Sequence, residues 1–303
     1  MDLIHTFFAG QFWSQVVEAL LHSLWIGFAI AALLFVFLCL VPARRSDLRY
    51  AASLIALAAL VIGVFGAWAV LDLPEQGRKE VLTVDTSLIN TSNTADAAIA
   101  PSPSTKKAPV VPSQGSIKNK TQSPQAGNQV WPIFVPWLSA GWLLGVMVML
   151  LRDLRMLAGA GRFRRECRLV EDPAMVTLLE RYRQLAGLAR RVELRVAEQL
   201  WSPVVVGVMQ PAILLPASIL SGVSMEDLGA MLAHELVHIR RYDYLVNLAQ
   251  MLIEALLFFN PAVWWISRQV RIEREACVDA AASGISEGRL NYARVLRAAA
   301  RRQ

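Results

Sequence analysis

The 303-residue sequence predicts an α-helical membrane protein in which three N-terminal transmembrane helices precede an α+β domain. Hydrophobic residues make up 55% of the chain and charged residues only 18%, whereas soluble domains average roughly 45–50% apolar and about 25% charged residues. Three apolar stretches are long enough to cross a bilayer, which takes about 20 residues. The chain after the third stretch mixes helical and strand-like patterns.

The three apolar stretches run from about residue 16 to 41, from 50 to 71 and from 131 to 151. The loop at 42–49 carries three arginines, and segment 152–168 carries six. Because short flanks rich in Lys and Arg remain in the cytoplasm, the N-terminus is expected outside and the chain after the third stretch inside. These flanks also explain the formal charge of +6, so we expect contact with the lipid bilayer and no direct nucleic-acid binding.

These patterns divide the chain into four parts. Residues 1–73 hold two transmembrane helices with a short cytoplasmic loop, and residues 131–151 form the third helix. Residues 74–130 are polar, rich in proline and aperiodic, which predicts a disordered external linker because such a segment buries too little apolar surface. Residues 152–303 form the cytoplasmic domain.

A small-residue motif lies in the third stretch. Gly141 and Gly145 are four residues apart in an apolar run. This spacing permits close helix packing, including homodimerisation.

Local motifs predict the first elements of the cytoplasmic domain. Asp172 followed by a proline predicts the start of a helix. Residues 192–196 alternate like a half-buried strand, and 203–208 and 212–215 predict two further strands. Ser224 with an acidic residue three positions later is a capping box that opens the next helix.

That helix carries the motif His234-Glu235-Leu236-Val237-His238. Two histidines four residues apart on a helix share one face and can bind one metal ion. Glu235 between them can take a proton from a metal-bound water, whose pKa Zn²⁺ lowers to about 7. The sequence therefore predicts a catalytic zinc site with Glu235 as the general base.

A catalytic zinc needs a third protein ligand and keeps one position open for water. Downstream, Glu275 and Asp279 are four residues apart and share a helix face. One can bind zinc while the other accepts a hydrogen bond from a ligand histidine. Cys277 is a further candidate ligand. Glu273 points away from that face and is expected to be a solvated surface charge.

An apolar segment at 244–259 separates the two halves of this site. As a fourth membrane span it would leave Glu275 some 30 Å from the histidines. Because proline disfavours helix at the preceding residue, we expect a helical hairpin that turns at Asn260-Pro261. If Asp243 caps the outgoing leg, the two legs match in length and the return brings Glu275 level with the histidines. The apolar legs would pack on the domain core or enter the membrane.

The order of these features resembles the BlaR/MecR-type antirepressor metallopeptidases of the bacterial inner membrane. Shorter matches accompany the spans and the metal motif: His22-Ser23-Leu24-Trp25, Ser202-Pro203-Val204, Gly207, Pro211 to Pro216, and Asn260-Pro261-Ala262-Val263-Trp264-Trp265. Sensing of β-lactams is not expected, because residues up to 303 include no penicillin-binding domain.

The resemblance implies a gluzincin-like zinc peptidase fold. It implies that Zn²⁺ is held by His234, His238 and Glu275. It further implies that Glu235 is the general base and that Asp279 supports a histidine. By the same resemblance, Val204, Val205 and Val206 form the strand to which an extended substrate adds.

The leading functional expectation is a zinc metalloendopeptidase in signal transduction that cuts itself or a cytoplasmic protein, such as a transcriptional repressor. A membrane quality-control or prenyl-type peptidase would instead cut unfolded membrane proteins. A non-catalytic zinc-binding transducer would keep its output when Glu235 is replaced by Gln. Tyr242, Tyr244 and Arg271 are all candidates for stabilising the tetrahedral intermediate, and the sequence does not choose among them.

Overall fold

Three long apolar helices begin the computed structural model, which describes residues 8, 10–71, 131–207, 209–220 and 222–285. They are α1 (Gln11–Leu40), α2 (Ser46–Leu71) and α3 (Trp131–Glu166). By length and composition each could cross a membrane, which agrees with the three predicted stretches. The chain is therefore a membrane protein. The predicted linker at 74–130 lies outside the described residues.

Helix α3 continues beyond residue 151, where its apolar stretch ends. Its last turn carries Arg164 and Arg165, and basic side chains are favourable at a helix C-terminus. The third apolar stretch and the entry into the following domain are thus one helix.

A four-stranded sheet follows α3. Its strands are β1 (Arg168–Leu169), β2 (Glu193–Ala197), β3 (Val204–Val206) and β4 (Ala212–Pro216). Their order is β1-β2-β4-β3, with β2 parallel and β3 antiparallel to β4. The three predicted strands are confirmed with small changes of bounds, and β3 lies at the edge.

The sheet is covered on both faces, so β4 is entirely buried. On one face, Ile213 and Leu215 join a core with α4 (Pro173–Leu185) and the metal-motif helix α6 (Met225–Arg241). On the other, Leu214 packs with Phe163 from the end of α3. A single turn, α5 (Ala217–Leu220), links β4 to α6.

The side-chain caps predicted from the sequence are present at the starts of α4 and α6. The side chain of Asp172 accepts a hydrogen bond from the Ala174 backbone at the start of α4. The Ser224 hydroxyl accepts one from the Asp227 backbone at the start of α6. Each bond satisfies an N–H group that has no partner within the helix.

Helix α6 ends at Tyr242, which adopts the left-handed conformation with φ 58°. The next helix, α7 (Asp243–Leu256), begins immediately, so the chain reverses within one residue. The predicted cap by Asp243 is wrong, because Tyr242 holds the cap position without a side-chain bond. The Asp243 carboxylate turns back to His238 instead.

The predicted hairpin is confirmed: α7 is followed by α8 (Pro261–Ile285). At the turn, Asn260 is fully buried. Its Oδ1 accepts from the Ala262 backbone at 3.0 Å, and its Nδ2 donates to the Ser23 carbonyl in α1 at 2.9 Å. Both legs pack against the apolar helices, because their own surfaces are largely apolar.

Of the two glycines in the small-residue motif of α3, Gly145 packs closely against another part of this chain and Gly141 does not. A Cβ atom at Gly145 would lie 2.3 Å from the Phe258 ring at the hairpin tip. At Gly141 it would meet nothing within 4 Å. Gly145 therefore provides the space in which the tip of the hairpin packs.

Candidate metal centre

Helices α6 and α8 bring the three predicted ligands together. The Nε2 atoms of His234 and His238 are 3.2 Å apart. Glu275 Oε2 lies 3.6 Å from the first and 3.4 Å from the second. One turn of α6 separates the histidines, and the hairpin returns Glu275 to their level.

These three separations fit a tetrahedral zinc ion. Nitrogen and oxygen ligands about 2.0–2.1 Å from such an ion are about 3.3–3.4 Å apart along the tetrahedron's edges. The observed edges of 3.2, 3.4 and 3.6 Å match this spacing. Among the described residues they form the one group of this kind that could hold a metal ion. A fourth corner is left for water or substrate.

Both histidines are oriented from behind by carboxylates. His234 Nδ1 donates to Asp279 Oδ1 at 3.1 Å, the contact that the family resemblance implies for Asp279. His238 Nδ1 donates to Asp243 Oδ2 at 2.8 Å, a contact that the sequence motifs do not predict. Each bond keeps a proton on Nδ1 and directs Nε2 into the space shared with Glu275, where it could bind a metal ion.

The position of Asp243 depends on the turn at Tyr242. Asp243 follows His238 by five residues. If α6 continued as a helix, Asp243 would lie on a different face from that histidine. The left-handed residue reverses the chain and brings the buried carboxylate under the ring. An acidic residue directly after the last turn of a metal-binding helix is the sequence feature that could have indicated this role.

The site is strongly anionic, and this controls the protonation of the histidines. Burial opposes the charged form of His234, but hydrogen bonds to Asp279 and Glu275 outweigh it and raise its pKa to about 10. Burial also opposes the charged form of His238, yet Asp243 and Glu275 raise its pKa to about 9. Without a metal, the surrounding carboxylates therefore favour the protonated form of both rings at neutral pH.

Glu275 responds in the opposite sense. Burial favours its neutral form, but hydrogen bonds from the two histidines hold its pKa well below the usual range. The carboxylate is therefore ionised and available as a ligand at neutral pH. The site thus concentrates negative charge around two exchangeable protons, an arrangement suited to a divalent cation.

Glu235 lies between the histidines on α6 and is half-buried. Burial raises the pKa of its carboxyl group, and the positive charge of the two histidines partly offsets this. A raised pKa suits a general base, because it makes the carboxylate a stronger proton acceptor.

The face of α8 opposite the ligands is buried against α2. Glu273, predicted to be a solvated surface charge, is only 4% exposed, and its Oε1 lies 2.7 Å from Arg49 Nη2. That prediction is wrong, because the hairpin packs this face against a membrane helix. Cys277 lies on the same face and is buried. Burial raises the pKa of its thiol, and it is not part of the ligand group.

The three candidates for stabilising the intermediate separate into two groups. Arg271 donates to Glu254 Oε1 at 2.8 Å in a buried network between α7 and α8. Tyr242 and Tyr244 form an edge contact at 5.9 Å, and the guanidinium of Arg190 lies 5.7 and 5.8 Å from their ring centroids. The guanidinium of Arg271 is therefore bound to Glu254, whereas the two tyrosines lie together at the start of α7.

The predicted substrate strand lies beside the metal helix. β3 is hydrogen-bonded to β4 on one side only and contacts α6. Val204 is partly exposed and Val206 faces the end of α3. Val205 packs on the main core of the sheet. Among the described residues β3 pairs only with β4, so its other edge could accept a further strand.

Two comparisons relate this chain to known proteins. A family model described as BlaR1 peptidase M56 matches residues 20–301. The regulatory protein BlaR1 of Bacillus licheniformis is 32% identical over 140 residues, which are 46% of this chain. The matched part spans only 23% of that relative.

Proposed function

This chain belongs to the BlaR1 peptidase M56 family, whose members are membrane peptidases of signalling systems, and on this premise we propose that it is a zinc metalloendopeptidase. The ligand spacing carries the proposal. His234, His238 and Glu275 present three atoms at the edge lengths of a tetrahedral zinc site, with Glu235 on the same helix as the histidines.

The proposed reaction is hydrolysis of a peptide bond by water. Bound Zn²⁺ supplies a Lewis acid that lowers the pKa of a coordinated water to about 7. The Glu235 carboxylate accepts a proton from the attacking water and returns it to the nitrogen of the leaving amine. Its raised pKa supports both transfers. Asp279 and Asp243 hold the two imidazoles so that Nε2 faces the shared centre.

We propose that the substrate binds as an extended segment along β3. Backbone N–H and C=O groups of an extended peptide can pair with a free strand edge, which gives affinity with little dependence on sequence. The edge position of Val204, Val205 and Val206 and the contact between β3 and α6 support this arrangement. The substrate class is a cytoplasmic protein, with a transcriptional repressor or the chain itself as the leading candidates.

The proposed location is the bacterial inner membrane, with the N-terminus outside and the metal site at the cytoplasmic surface. The contact between Arg49 and Glu273 puts the arginine-bearing loop and the site on one side of the apolar helices. Basic loops remain cytoplasmic, so the same side is assigned to the site. In this arrangement residues 152–303 are cytoplasmic and 74–130 are external.

The test compares the wild type with Glu235→Gln, both purified in detergent. We expect one Zn²⁺ per chain in both proteins, since Glu235 is not a ligand. We expect cleavage of the chain or of a co-expressed cytoplasmic repressor only in the wild type. Glu171→Gln is the matched control, because Glu171 is exposed and its loss should leave both properties unchanged.

Three results would contradict the proposal in different ways. Zinc in both proteins with equal output would indicate a non-catalytic transducer. Cleavage directed at unfolded membrane proteins would indicate a quality-control peptidase. No zinc in the wild type would remove the metal site altogether.

A further inference from the structure

The first turn of α2 joins three helices through one side chain. Arg49 donates from Nε at 2.8 Å and from Nη2 at 2.7 Å to Glu273 Oε1 on α8. Its Nη1 donates to the carbonyl oxygens of Leu38 at 2.7 Å and Val41 at 2.9 Å, where α1 ends. One guanidinium therefore connects the end of the first span, the start of the second and the metal-ligand helix.

Glu273 and the ligand Glu275 lie on opposite faces of α8. Two residues correspond to about 200° around a helix, at about 100° per residue. Glu275 faces the histidines of α6, so Glu273 faces α2. Cys277, one turn beyond Glu273, lies on the same face of α8 and is also buried. Helix α8 is thus held between the metal-motif helix and the second span.

The residue after Arg49, Tyr50, contacts the end of α6, the helix that carries the two histidines. The guanidinium of Arg241 lies 5.0 Å from the centroid of the Tyr50 ring. Arg241 Nε lies 3.7 Å from Asp243 Oδ1, and Asp243 Oδ2 accepts from His238 Nδ1 at 2.8 Å. Adjacent residues of α2 therefore contact both elements that supply metal ligands.

The pair between Arg49 and Glu273 is largely shielded from water, with side chains 17% and 5% exposed. Pulling one charge away would leave the other buried and unpaired, which is strongly unfavourable. The pair therefore fixes the position of α8 along α2. A metal site needs its ligands held within about 0.5 Å, so a slide of α8 would spoil the spacing between Glu275 and the histidines.

We propose that Arg49 is a positioning residue that holds Glu275 in the metal site through Glu273. By this contact the first two spans set the ligand spacing. The inference rests on the proposed function and adds its regulation: a displacement of α2 relative to α8 changes how well the site holds zinc. An external signal that moves the spans reaches the metal through this pair.

The test measures zinc binding by the full chain in lipid nanodiscs. The variants are Arg49→Gln, Glu273→Gln and the double variant, with Arg44→Gln as the matched control because Arg44 is exposed in the loop just before α2. Competition with a chromophoric chelator gives the zinc Kd. We expect Kd to rise about tenfold in the three pair variants, the lower end of the range for groups that support metal ligands. The control should match the wild type.

The double variant protects the test against misfolding. Each single variant leaves one buried charge without its partner, whereas the double variant leaves two neutral amides. Unchanged zinc affinity in a folded double variant would overturn the inference. Cobalt substitution adds a spectroscopic measure, because the visible bands of Co²⁺ report its coordination. We expect altered bands in the double variant, and bands identical to the wild type would also overturn the proposal.

These measurements separate this inference from the peptidase proposal. Zinc affinity and cobalt spectra do not depend on whether a substrate is cut. A wild type that binds zinc and cuts nothing would contradict the peptidase proposal. The zinc Kd of the variants would still test this inference. A wild type that binds no zinc would overturn both.

Discussion

Zinc affinity should depend steeply on pH because the metal displaces two protons from the site. In the metal-free protein the carboxylates around them raise the pKa of His234 to about 10 and that of His238 to about 9. Zinc binds neutral imidazole, so each ring must lose its proton first. Glu275 contributes no proton, because the histidines hold its pKa below the usual range.

The magnitude follows from these two values. At pH 7 the two histidines lie about three and about two pH units below their pKa values, so proton competition weakens binding by about 10⁵. Each unit of pH then changes the apparent affinity by about 100-fold, a factor of ten for each proton. From pH 6.5 to pH 7.5 the zinc Kd should fall about 100-fold.

The assay is chelator competition at pH 6.5, 7.0 and 7.5, corrected for the chelator's own protonation. Calorimetry in two buffers of different ionisation enthalpy counts the protons released, and we expect about two at pH 7. Asp279→Asn removes one carboxylate beside His234 and should reduce the pH slope. A slope near zero in the wild type would refute the reasoning, because it would mean that both histidines are already neutral.

The remaining predictions concern metal-free stability, the missed carboxylate and the hairpin tip. The raised histidine pKa values stabilise the metal-free fold fully below about pH 6.5, and this stabilisation should disappear as pH rises through about 9 to 10. Chemical denaturation at several pH values measures the free energy of unfolding. A free energy of unfolding that rises between pH 6.5 and 10 would contradict the prediction. Asp243→Asn should weaken zinc binding about 10–100-fold in the same competition assay, whereas an unchanged Kd would remove its orienting role. Gly145→Ala should lower the stability in detergent by about 1–3 kcal/mol, because the added Cβ would lie 2.3 Å from Phe258. Gly141→Ala, with nothing within 4 Å, is its control, and equal melting temperatures for the two variants would refute the packing argument.

The parts of the fold that sequence predicted well are those with short-range causes. The capping side chains of Asp172 and Ser224 act within three residues, and a proline after Asn260 breaks the helix at that point. The pairing of the two metal histidines follows from helix periodicity alone. The hairpin was predictable for a similar reason. Two antiparallel helices of equal length bring the end of the second level with the start of the first.

The missed features have long-range causes. Glu273 bonds a side chain 224 positions away, and its charge alone predicted a surface position. Nothing in the local pattern indicates that α8 is buried on the face opposite its ligand. The role of Asp243 needed a left-handed Tyr242, a conformation that non-glycine residues adopt rarely. In both cases the role depends on which surfaces pack together, and sequence periodicity does not give that information.

Both missed carboxylates lie between the metal ligands and the second span. Glu273 is bound by Arg49, and Asp243 lies beside Arg241, which packs on the Tyr50 ring. The pairing of the two histidines was predictable because their motif is local, whereas the groups that position the side chains depend on the membrane helices. A metal site supported in this way is not independent of the spans, since the residues that fix its geometry are the same residues that touch them. Under the proposed regulation, a displacement of the spans would reach the metal centre through these contacts.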